Sequence, residues 1–231
     1  MNAKATTTQA PRRAPRADGA EARHRLLHTA LRLFAQKGFA KTSTREIAKE
    51  ADVNISAISY YFGDKEGLYA ATFNEPMGGD SSDLVAACKV PGRPLEETLR
   101  ICMVSMIDPL KQGEIVRQCI QLHRREMLEP TSRWAKELEH DIKGPHRAIA
   151  DLLCRHLGVA RADDDIHRLT FAITGLSMQL YVSQDFIEAI RPSLLRTARG
   201  IDTWADRLTG YAMALVAAEA ARRRDERKPM K

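Results

Sequence analysis

Side chains that can bind nucleic acid are concentrated in one short stretch of the sequence, residues 42–67. The eight candidates are Thr44, Arg45, Ser56, Ala57, Ser59, Tyr60, Tyr61 and Lys65. Serine hydroxyls can bond to base edges and an alanine methyl group can contact that of thymine, whereas cations and tyrosine hydroxyls can bind phosphate. The stretch therefore predicts a surface that binds double-stranded DNA. We expect the serines and Ala57 to face the bases and Thr44, Arg45, Tyr61 and Lys65 to face the phosphates, while Tyr60 suits either.

The same stretch contains the start and stop signals of two short helices. Ser43, with Glu46 three residues later, forms a capping box, which places a helix start directly after Ser43. Asn54 predicts the cap of a second helix, and Gly63 predicts its end because glycine tolerates left-handed backbone angles. Asp52, which also tolerates those angles, lies in the turn between the two helices. Two short helices joined by a tight turn predict a helix-turn-helix motif, whose second helix lies in the major groove of DNA.

A longer set of residues agrees with a known family in both type and spacing. The set comprises Phe39, residues 42–48, Ala51, Val53, residues 60–62, Lys65, Glu66 and Leu68. It resembles the DNA-binding domain of TetR/AcrR-type transcriptional regulators over roughly residues 21–73. The resemblance implies a homodimeric repressor that binds a palindromic operator and is released from it by a small molecule. The shorter segment 123–131 resembles the C-terminal domain of the CerR-like branch of this family.

Charge and cysteine content limit the classes of function. The formal net charge is +6, and the basic excess lies in the two tails: residues 1–25 carry six basic and two acidic groups, and residues 219–231 carry six basic and three acidic groups. Such tails favour a polyanionic partner such as DNA. The four cysteines, at positions 88, 102, 119 and 154, form no Cys-x-x-Cys pair. This spacing argues against a disulfide framework and against a zinc site.

Enzyme and targeting motifs are missing from the sequence. It contains no glycine-rich phosphate-binding loop, no His-Glu-x-x-His and no Gly-x-Ser-x-Gly. We expect no signal peptide, because no apolar segment follows the basic residues near the start, and the sequence contains no apolar run long enough to span a membrane. We therefore expect a cytoplasmic protein that is not an enzyme, needs no metal or cofactor and has no membrane partner.

Helical periodicity without strand patterns predicts an all-α fold with two domains. We expect a disordered basic arm over residues 1–20, a helix-turn-helix DNA-binding domain over 21–74, a linker or loop over 75–94, a helical ligand-binding and dimerisation domain over 95–225, and a basic tail over 226–231. In the DNA-binding domain, a first helix over 21–37 packs on the two short helices. Asp64 caps a fourth helix over 65–74.

Two helices of the C-terminal domain are predicted over 165–183 and 201–221, and both are apolar on two faces. In the first of them, one row contains Ile166, Leu169, Ile173 and Leu180, and the other contains Phe171, Met178 and Val182. A helix that is apolar on both sides is buried on both sides. We expect each helix to cover its own domain with one face and a second copy of the chain with the other. An earlier helix, over 132–157, should be interrupted at Pro145.

Soft and aromatic side chains of the C-terminal domain are candidates for a ligand pocket. They are Met103, Met106, Cys119, His123, Trp134, Phe171 and Met178. Flexible methionines suit a permissive apolar cavity, and we expect the helices that carry these residues to enclose one cavity. Ordinary core packing explains each single residue equally well.

The sequence as a whole predicts a transcriptional repressor that a small apolar ligand releases from a palindromic operator. One alternative is a DNA-binding regulator without a small-molecule ligand, which acts constitutively or through a protein partner. An all-α enzyme is a second alternative, but the sequence offers no recognisable nucleophile and base for it.

Overall fold

The computed structural model describes residues 15–77, 82–131 and 138–226, and this part of the chain is helical without any strand. The all-α prediction is therefore confirmed. The chain divides into two compact units, Met1–Thr72 and Phe73–Lys231.

From residue 15 onward, the helices that begin in the first unit are α1 (Pro15–Lys37), α2 (Thr44–Glu50), α3 (Ser56–Phe62) and α4 (Lys65–Asn74). Helix α1 begins earlier than the predicted position 21, so residues 15–20, which we assigned to the disordered arm, are helical. Proline is well tolerated in a first helical turn, where its missing N–H has no helical partner to lose. The rest of the predicted arm, residues 1–14, lies outside the described residues.

We expected α1 to pack on the two short helices through Phe34, Phe39, Ile47, Ile58 and Phe62, and three of these are buried while Phe39 and Phe62 are half-buried. Phe34, Ile47 and Ile58 are buried. Tyr69 of α4 is only 4% exposed, and its ring contacts that of Phe34 edge to face at a centroid distance of 4.9 Å. Aromatic pairs in this geometry add to the stabilisation from area burial. Tyr69 therefore connects α4 to the bundle.

In the described residues of the second unit, the α-helices are α5 (Ser82–Lys89), α6 (Leu95–Ile107), α7 (Glu114–Leu128), α8 (Gly144–Leu157), α9 (Asp164–Val182), α10 (Gln184–Ile190) and α11 (Ala198–Glu226). Short 3-10 turns occur at Glu75–Met77, Asp108–Gln112 and Pro192–Leu194, and a π-helical segment at Leu138–Lys143 precedes α8. Pro145 lies in the first turn of α8, so the helix predicted over 132–157 changes from π-helix to α-helix next to this proline.

Two helices were not predicted from the sequence. Helix α5 occupies part of the predicted linker 75–94, where it buries Leu84, Ala87 and Cys88 on one face. The glycines and prolines on both sides of this segment concealed its short apolar repeat. Helix α10 lies between the two predicted C-terminal helices. The last helix ends at Glu226, and residues 227–231 of the predicted tail lie outside the described residues.

Ion pairs connect the start of α9 to the end of α11. Asp163 caps α9, its Oδ1 accepting the Ile166 N–H at 2.9 Å, and it also accepts from the Arg223 guanidinium at 2.7 Å. These hydrogen bonds, that of Arg223 first, hold the pKa of Asp163 well below its usual range. Arg222 bonds Asp165 at 2.7 Å, and Glu219 accepts from both arginines. The two helices are therefore held together by charge as well as by apolar packing.

Candidate nucleic-acid interface

Helix α2 is positioned by its cap and by contacts from α1. The Ser43 hydroxyl oxygen accepts the Glu46 N–H at 3.1 Å, which confirms the predicted helix start. The Glu46 carboxylate also pairs with Lys37 of α1, and this hydrogen bond is the largest cause of its lowered pKa. A second ion pair joins Arg32 to Glu50 at the other end of α2. Because both ends are tied to α1, α2 has a fixed orientation in the unit.

The turn between α2 and α3 contains a left-handed residue where we expected one. Asp52 has a φ of 51°, and it is the one non-glycine residue of the described chain with a positive φ. The Val53 N–H donates to the Ala48 carbonyl at 3.0 Å, which closes the turn. From α1, Arg25 donates its Nε–H to the Ala51 carbonyl at 3.1 Å. These backbone contacts set the direction in which α3 leaves the turn.

Asn54 caps α3 through a tight local arrangement. Its Oδ1 accepts the Ser56 N–H at 2.9 Å and the Ser56 hydroxyl at 2.8 Å. The helix starts at Ser56, so Ile55 stands between the capping residue and the first turn. Gly63 has a φ of 81° and ends α3, and Asp64 accepts the Gly67 N–H at 2.7 Å at the start of α4. The predicted caps and stop are confirmed, and the Ser56 hydroxyl is already engaged within the protein.

The outer face of α3 exposes both predicted base-reading serines, Ser56 and Ser59, together with Tyr60. Ser59 is exposed, and Tyr60 is 82% exposed. Ala57 is half-buried, and Ile55 at the start of the helix is exposed at 45%. On α2, Arg45 is exposed and Thr44 is half-buried. The structure thus presents hydroxyl groups on α3 and a cation on α2 to solvent.

Tyr61 and Lys65, predicted to hold phosphates, make contacts inside the unit. The Lys65 ammonium donates to the Phe39 carbonyl at 2.6 Å and lies 4.2 Å from the centre of the Phe39 ring. The Tyr61 hydroxyl lies 3.1 Å from the position that a side chain on Gly19 would occupy. Both residues therefore brace α3 and α4 against α1 and the residues that follow it. Sequence spacing gave no signal for these contacts, because the partners are far apart in the chain.

Two exposed cations near α2 were missed as candidates. Lys41 lies just before the α2 cap, and Lys49 lies in the last turn of the helix. The buried Thr42 next to Lys41 donates its hydroxyl to the Gly38 carbonyl at 2.9 Å, which fixes this part of the turn. An exposed lysine on a fixed turn is a suitable phosphate contact.

Four of the seven predicted ligand residues lie on α6 and α7. Met103 is buried and accepts the Ser177 hydroxyl at its sulfur at 3.2 Å. Met106 is half-buried. Cys119 is buried, and burial raises the pKa of its thiol to about 12. His123 donates its Nδ1–H to the Cys119 carbonyl at 2.8 Å. These four residues are packed in the second unit.

Two of the other three predicted ligand residues, Phe171 and Met178, do not join this group. Phe171 and Met178 are 63% and 52% exposed, and they lie on the side of α9 opposite the buried Ile173. The prediction that they line one cavity with Met103 is wrong, because the helical repeat turns them away from the core. Trp134 lies outside the described residues. A surface concavity of about 470 Å³ beside Trp204 and Tyr211 contains none of the predicted ligand residues.

Glu126, in the segment 123–131 that resembles the CerR-like branch, has a clear structural role. Glu126 of α7 is 1% exposed, and its carboxylate accepts the Thr131 N–H at 2.8 Å and the Thr131 hydroxyl at 2.7 Å. A buried carboxylate needs such donors to offset its lost hydration. Glu126 therefore fixes the chain that leaves α7.

Searches for other kinds of site gave negative results within the described chain. Across residues 15–77, 82–131 and 138–226, no group of three or more His, Cys, Asp or Glu side chains could hold a metal ion. In that same part of the chain, no helix is long and apolar enough to cross a membrane.

Comparison with protein families gives two matches. The family described as bacterial regulatory proteins of the tetR family matches residues 26–72. The C-terminal domain of the HTH-type transcriptional dual regulator CecR matches residues 95–219, which is more than half of the chain. This second match corresponds to the branch called CerR-like above.

Individual relatives in these families match this chain over most of their own length. The dual regulator CecR of Shigella flexneri is 29% identical over 189 residues, covering 78% of this chain and 81% of that protein. The regulator AcrR of Shigella flexneri is 36% identical over 158 residues, covering 60% and 72%. A TetR-like regulator from Rhodococcus superposes with a TM-score of 0.55 at 20% identity, covering 89% of this chain and 99% of that one. This last similarity concerns the fold.

Proposed function

Because the chain belongs to the TetR/AcrR family of bacterial transcriptional regulators, we propose that it represses transcription by binding a palindromic operator as a homodimer and that a small apolar ligand releases it. Family membership makes the chain a DNA-binding transcriptional regulator and not an enzyme. The observation that carries the proposal is α3, a capped helix that follows a closed turn and exposes hydroxyl groups on its outer face.

The base contacts are assigned to α3. Ser59 and Tyr60 are exposed, so their hydroxyls are available to a groove. The half-buried Ala57 is the candidate for contact with a thymine methyl group. Ser56 has a more limited role, because its hydroxyl already donates to Asn54. The base-reading set therefore centres on Ser59.

The phosphate contacts are assigned to α2 and the residues before it. Arg45, Lys41 and Lys49 are exposed cations, and Thr44 stands at the helix start, where N–H groups favour anions. Lys65 and Tyr61 support this surface from inside through Phe39 and Gly19. The Lys65 ammonium has three donors, so its bond to Phe39 leaves capacity for a phosphate.

We assign the dimer interface to the exposed apolar row of α9. Phe171, Met178 and Val182 are all more than half exposed, and the small Gly175 lies among them. Tyr211 of α11 adds a further exposed aromatic ring. A contiguous apolar surface of this kind costs free energy in water and is typical of an interface. Dimerisation doubles the contacts on a palindrome, because each recognition helix reads one half-site.

The ligand is assigned to the junction of α6, α7 and α9. The Tyr181 hydroxyl of α9 donates to the Met106 carbonyl of α6, and burial, with Asp108 and Cys119 adding to it, raises the pKa of Tyr181 far above its usual value. Flexible methionines at this junction can move to admit an apolar molecule. The ligand shifts DNA affinity only if it binds the DNA-free state more tightly, typically by about 1–3 kcal/mol.

DNA binding is tested on the region upstream of the gene. Fluorescence anisotropy with labelled duplexes should give specific binding whose affinity falls as salt rises, and footprinting should show a protected palindrome. A scrambled duplex of equal length is the control. Equal affinity for both duplexes at every salt concentration would contradict a sequence-specific regulator.

The ligand is tested separately from the DNA. A compound that binds the folded protein raises the midpoint of thermal unfolding, and it raises it further as its concentration increases, so a library of apolar compounds can be screened in this way. A compound that binds should weaken operator affinity. If no compound shifts the midpoint while operator binding is intact, the chain is instead a regulator that acts constitutively or through a protein partner.

A further inference from the structure

Two cysteines from neighbouring helices form a close thiol pair. Cys88 of α5 and Cys102 of α6 place their sulfur atoms 3.6 Å apart, and the two residues are 1% and 0% exposed. Both are reduced thiols in the structure. A disulfide bond is about 2 Å long, so a modest approach of the two helices would allow the bond to form. Their separation of 14 positions in the sequence gave no sign of this pairing.

The surroundings make the two thiols unequal. The hydrogen bond from Cys102 is the largest cause of a lowered pKa at Cys88, and the positive charge of Arg155 lowers it further. Arg155 also donates to the Cys88 carbonyl, which keeps its guanidinium near the pair. The pKa of Cys102 is raised, first of all by its hydrogen bond to Cys88. Cys88 is therefore the thiol that ionises, and Cys102 is its proton donor.

The remaining cysteines lack such a partner among the described residues and serve as internal references. Burial raises the pKa of Cys119 to about 12. Burial also raises the pKa of Cys154, and the charges of Asp151 and Asp163 add to this effect. Since the thiolate is the reactive form, both should react more slowly than Cys88.

We propose that Cys88 and Cys102 are a redox site that closes to an intramolecular disulfide when the protein meets hydrogen peroxide. The Cys88 thiolate attacks one peroxide oxygen and breaks the O–O bond, which yields a sulfenic acid and a hydroxide that takes up a proton. The Cys102 sulfur then attacks the Cys88 sulfur, and water leaves. In total, two thiols and one peroxide give one disulfide and two waters.

The oxidant reaches the pair when α5 opens locally. This helix spans only Ser82–Lys89, and its packing within the described chain is against α6 and α8. Short peripheral elements open at lower cost than the whole domain, and peroxide is small and uncharged. After oxidation, the new bond fixes α5 to α6.

A consequence for DNA binding follows if the proposed function holds. Helix α5 is the next helix in the chain after α4, which carries Lys65 and Tyr69 of the DNA-reading unit. A covalent bond that shifts α5 toward α6 should therefore change operator affinity, by about tenfold if the coupling is of typical size. The disulfide itself does not depend on this second step.

The site is tested by mass spectrometry on the full chain. Reduced protein is treated with a small excess of hydrogen peroxide, denatured, alkylated with iodoacetamide and digested with trypsin. We expect the peptide of residues 66–89 linked to that of residues 101–111, while Cys119 and Cys154 stay alkylated. Dithiothreitol should reverse the link. Full alkylation at all four positions, or equal oxidation of all four, would overturn the proposal.

Matched variants identify the order of the steps. Cys102→Ala removes both the hydrogen bond to Cys88 and the second thiol, so the reaction should be slower than in the wild type and should stop at a Cys88 sulfenic acid, which dimedone traps. Cys88→Ala should leave Cys102 unmodified. Cys119→Ala is the control and should form the disulfide at the wild-type rate. Circular dichroism checks that each variant is folded. Arg155→Met removes the positive charge beside Cys88 and leaves both sulfur atoms in place, so it should slow the reaction in a folded protein. Dimedone labelling at Cys102 in place of Cys88 would contradict the assigned roles.

Operator affinity is measured on oxidised and reduced wild type in parallel. A change that dithiothreitol reverses, and that Cys102→Ala does not show, supports the regulatory step. A disulfide that forms without any change in operator affinity would refute that step and leave the redox site standing. Absence of operator binding by the reduced protein would count against the proposed function instead.

Discussion

Two helices, α3 and α9, each bury one face and expose the other, but the exposed faces differ in chemistry. Helix α3 buries Ile58 and exposes the hydroxyl-bearing Ser59 and Tyr60. Helix α9 buries Ile173 and exposes the apolar Phe171 and Met178. Hydroxyl groups gain from a partner with donors and acceptors, such as base edges, whereas apolar groups gain from any partner that excludes water. The two faces therefore fit two different kinds of partner.

The two helices also differ in how they are fixed. Helix α3 is capped by a residue two positions away, through the Asn54–Ser56 bonds. Helix α9 is held at its start by Arg223, which lies 60 positions along the chain from Asp163. A local cap fixes where a helix begins, while the distant pair fixes which neighbour it packs against. Both helices have a local cap, since Asp163 also accepts the Ile166 N–H, and α9 has the distant ion pair at its start in addition.

The largest expected effect comes from a charge in the apolar row of α9. Met178→Asp places an unpaired carboxylate in the proposed interface, which should weaken the dimer by roughly 3 kcal/mol or more, about 100-fold in the dissociation constant. Sedimentation velocity at micromolar concentration should show monomers for the variant and dimers for the wild type.

The control for this prediction lies on the same helix. Ala172 is exposed but outside the apolar row, so Ala172→Asp should leave the dimer intact. Ile173 is unsuitable as a test of the interface, because it is 1% exposed in the core and a charge there would unfold the unit. A monomeric wild type, or a fully dimeric Met178→Asp, would contradict the assignment of the apolar row of α9 to the dimer interface.

The next effect concerns the hydroxyl face of α3. Ser59→Ala should weaken operator binding by about 1–3 kcal/mol and relax the preference at one base pair in each half-site. The salt dependence should be nearly unchanged, because no charge is removed. Anisotropy titrations on operator and single-position variants measure both. Ser56→Ala should lose less discrimination between base pairs, since the Ser56 hydroxyl is bound to Asn54. Equal losses in the two variants would show that this hydrogen bond does not limit the role of Ser56.

Two basic residues near this face should respond differently. Arg45→Ala removes an exposed cation, so operator and scrambled DNA should both bind more weakly, and the slope of log affinity against log salt should flatten by about one charge per subunit. Lys65→Ala removes a positive charge and also the donor to the Phe39 carbonyl. It should therefore lower the free energy of unfolding by about 1–2 kcal/mol in addition to weakening DNA binding.

Thermal unfolding and salt titrations of both variants separate these roles. Lys89→Ala, at an exposed lysine of α5 outside the assigned DNA contacts, is the control for general loss of charge. If Lys65→Ala were as stable as wild type, its contact with Phe39 would have no energetic importance and its role would be electrostatic alone.

The smallest effect concerns the start of α9. Asp163→Ala removes a helix cap and the Arg223 pair, which should cost about 1 kcal/mol, or about 2–4 °C in Tm. Because the native pKa of Asp163 is lowered, its contribution is complete above the ordinary carboxylate pKa of about 4 and is lost as pH falls below it. The Tm difference from wild type should therefore be constant near neutral pH and narrow in acid.

Asp163→Asn serves as the partner measurement, since the amide oxygen can still cap α9 but carries no charge. Near neutral pH, its Tm should fall less below that of the wild type than the Tm of Asp163→Ala does. A Tm difference that widens as pH falls would contradict the assigned ionisation.

The sequence by itself determined the features that depend on neighbouring residues. The Ser43 and Asn54 caps, the left-handed Asp52 and the stop at Gly63 all follow from side chains and backbone within four positions. Such interactions are encoded locally, so their residue types identify them without knowledge of the fold. The two-faced pattern of α9 was readable for the same reason, since helical periodicity is local.

Only the tertiary structure decided which distant groups meet and which faces are covered. The contact of Lys65 with Phe39, the pairing of Cys88 with Cys102 and the exposure of Phe171 all depend on the packing of helices remote in sequence. Periodicity showed that α9 has two apolar faces, but it could not say which face the chain itself buries. That choice depends on how neighbouring helices pack against α9, and no local signal in the sequence records it.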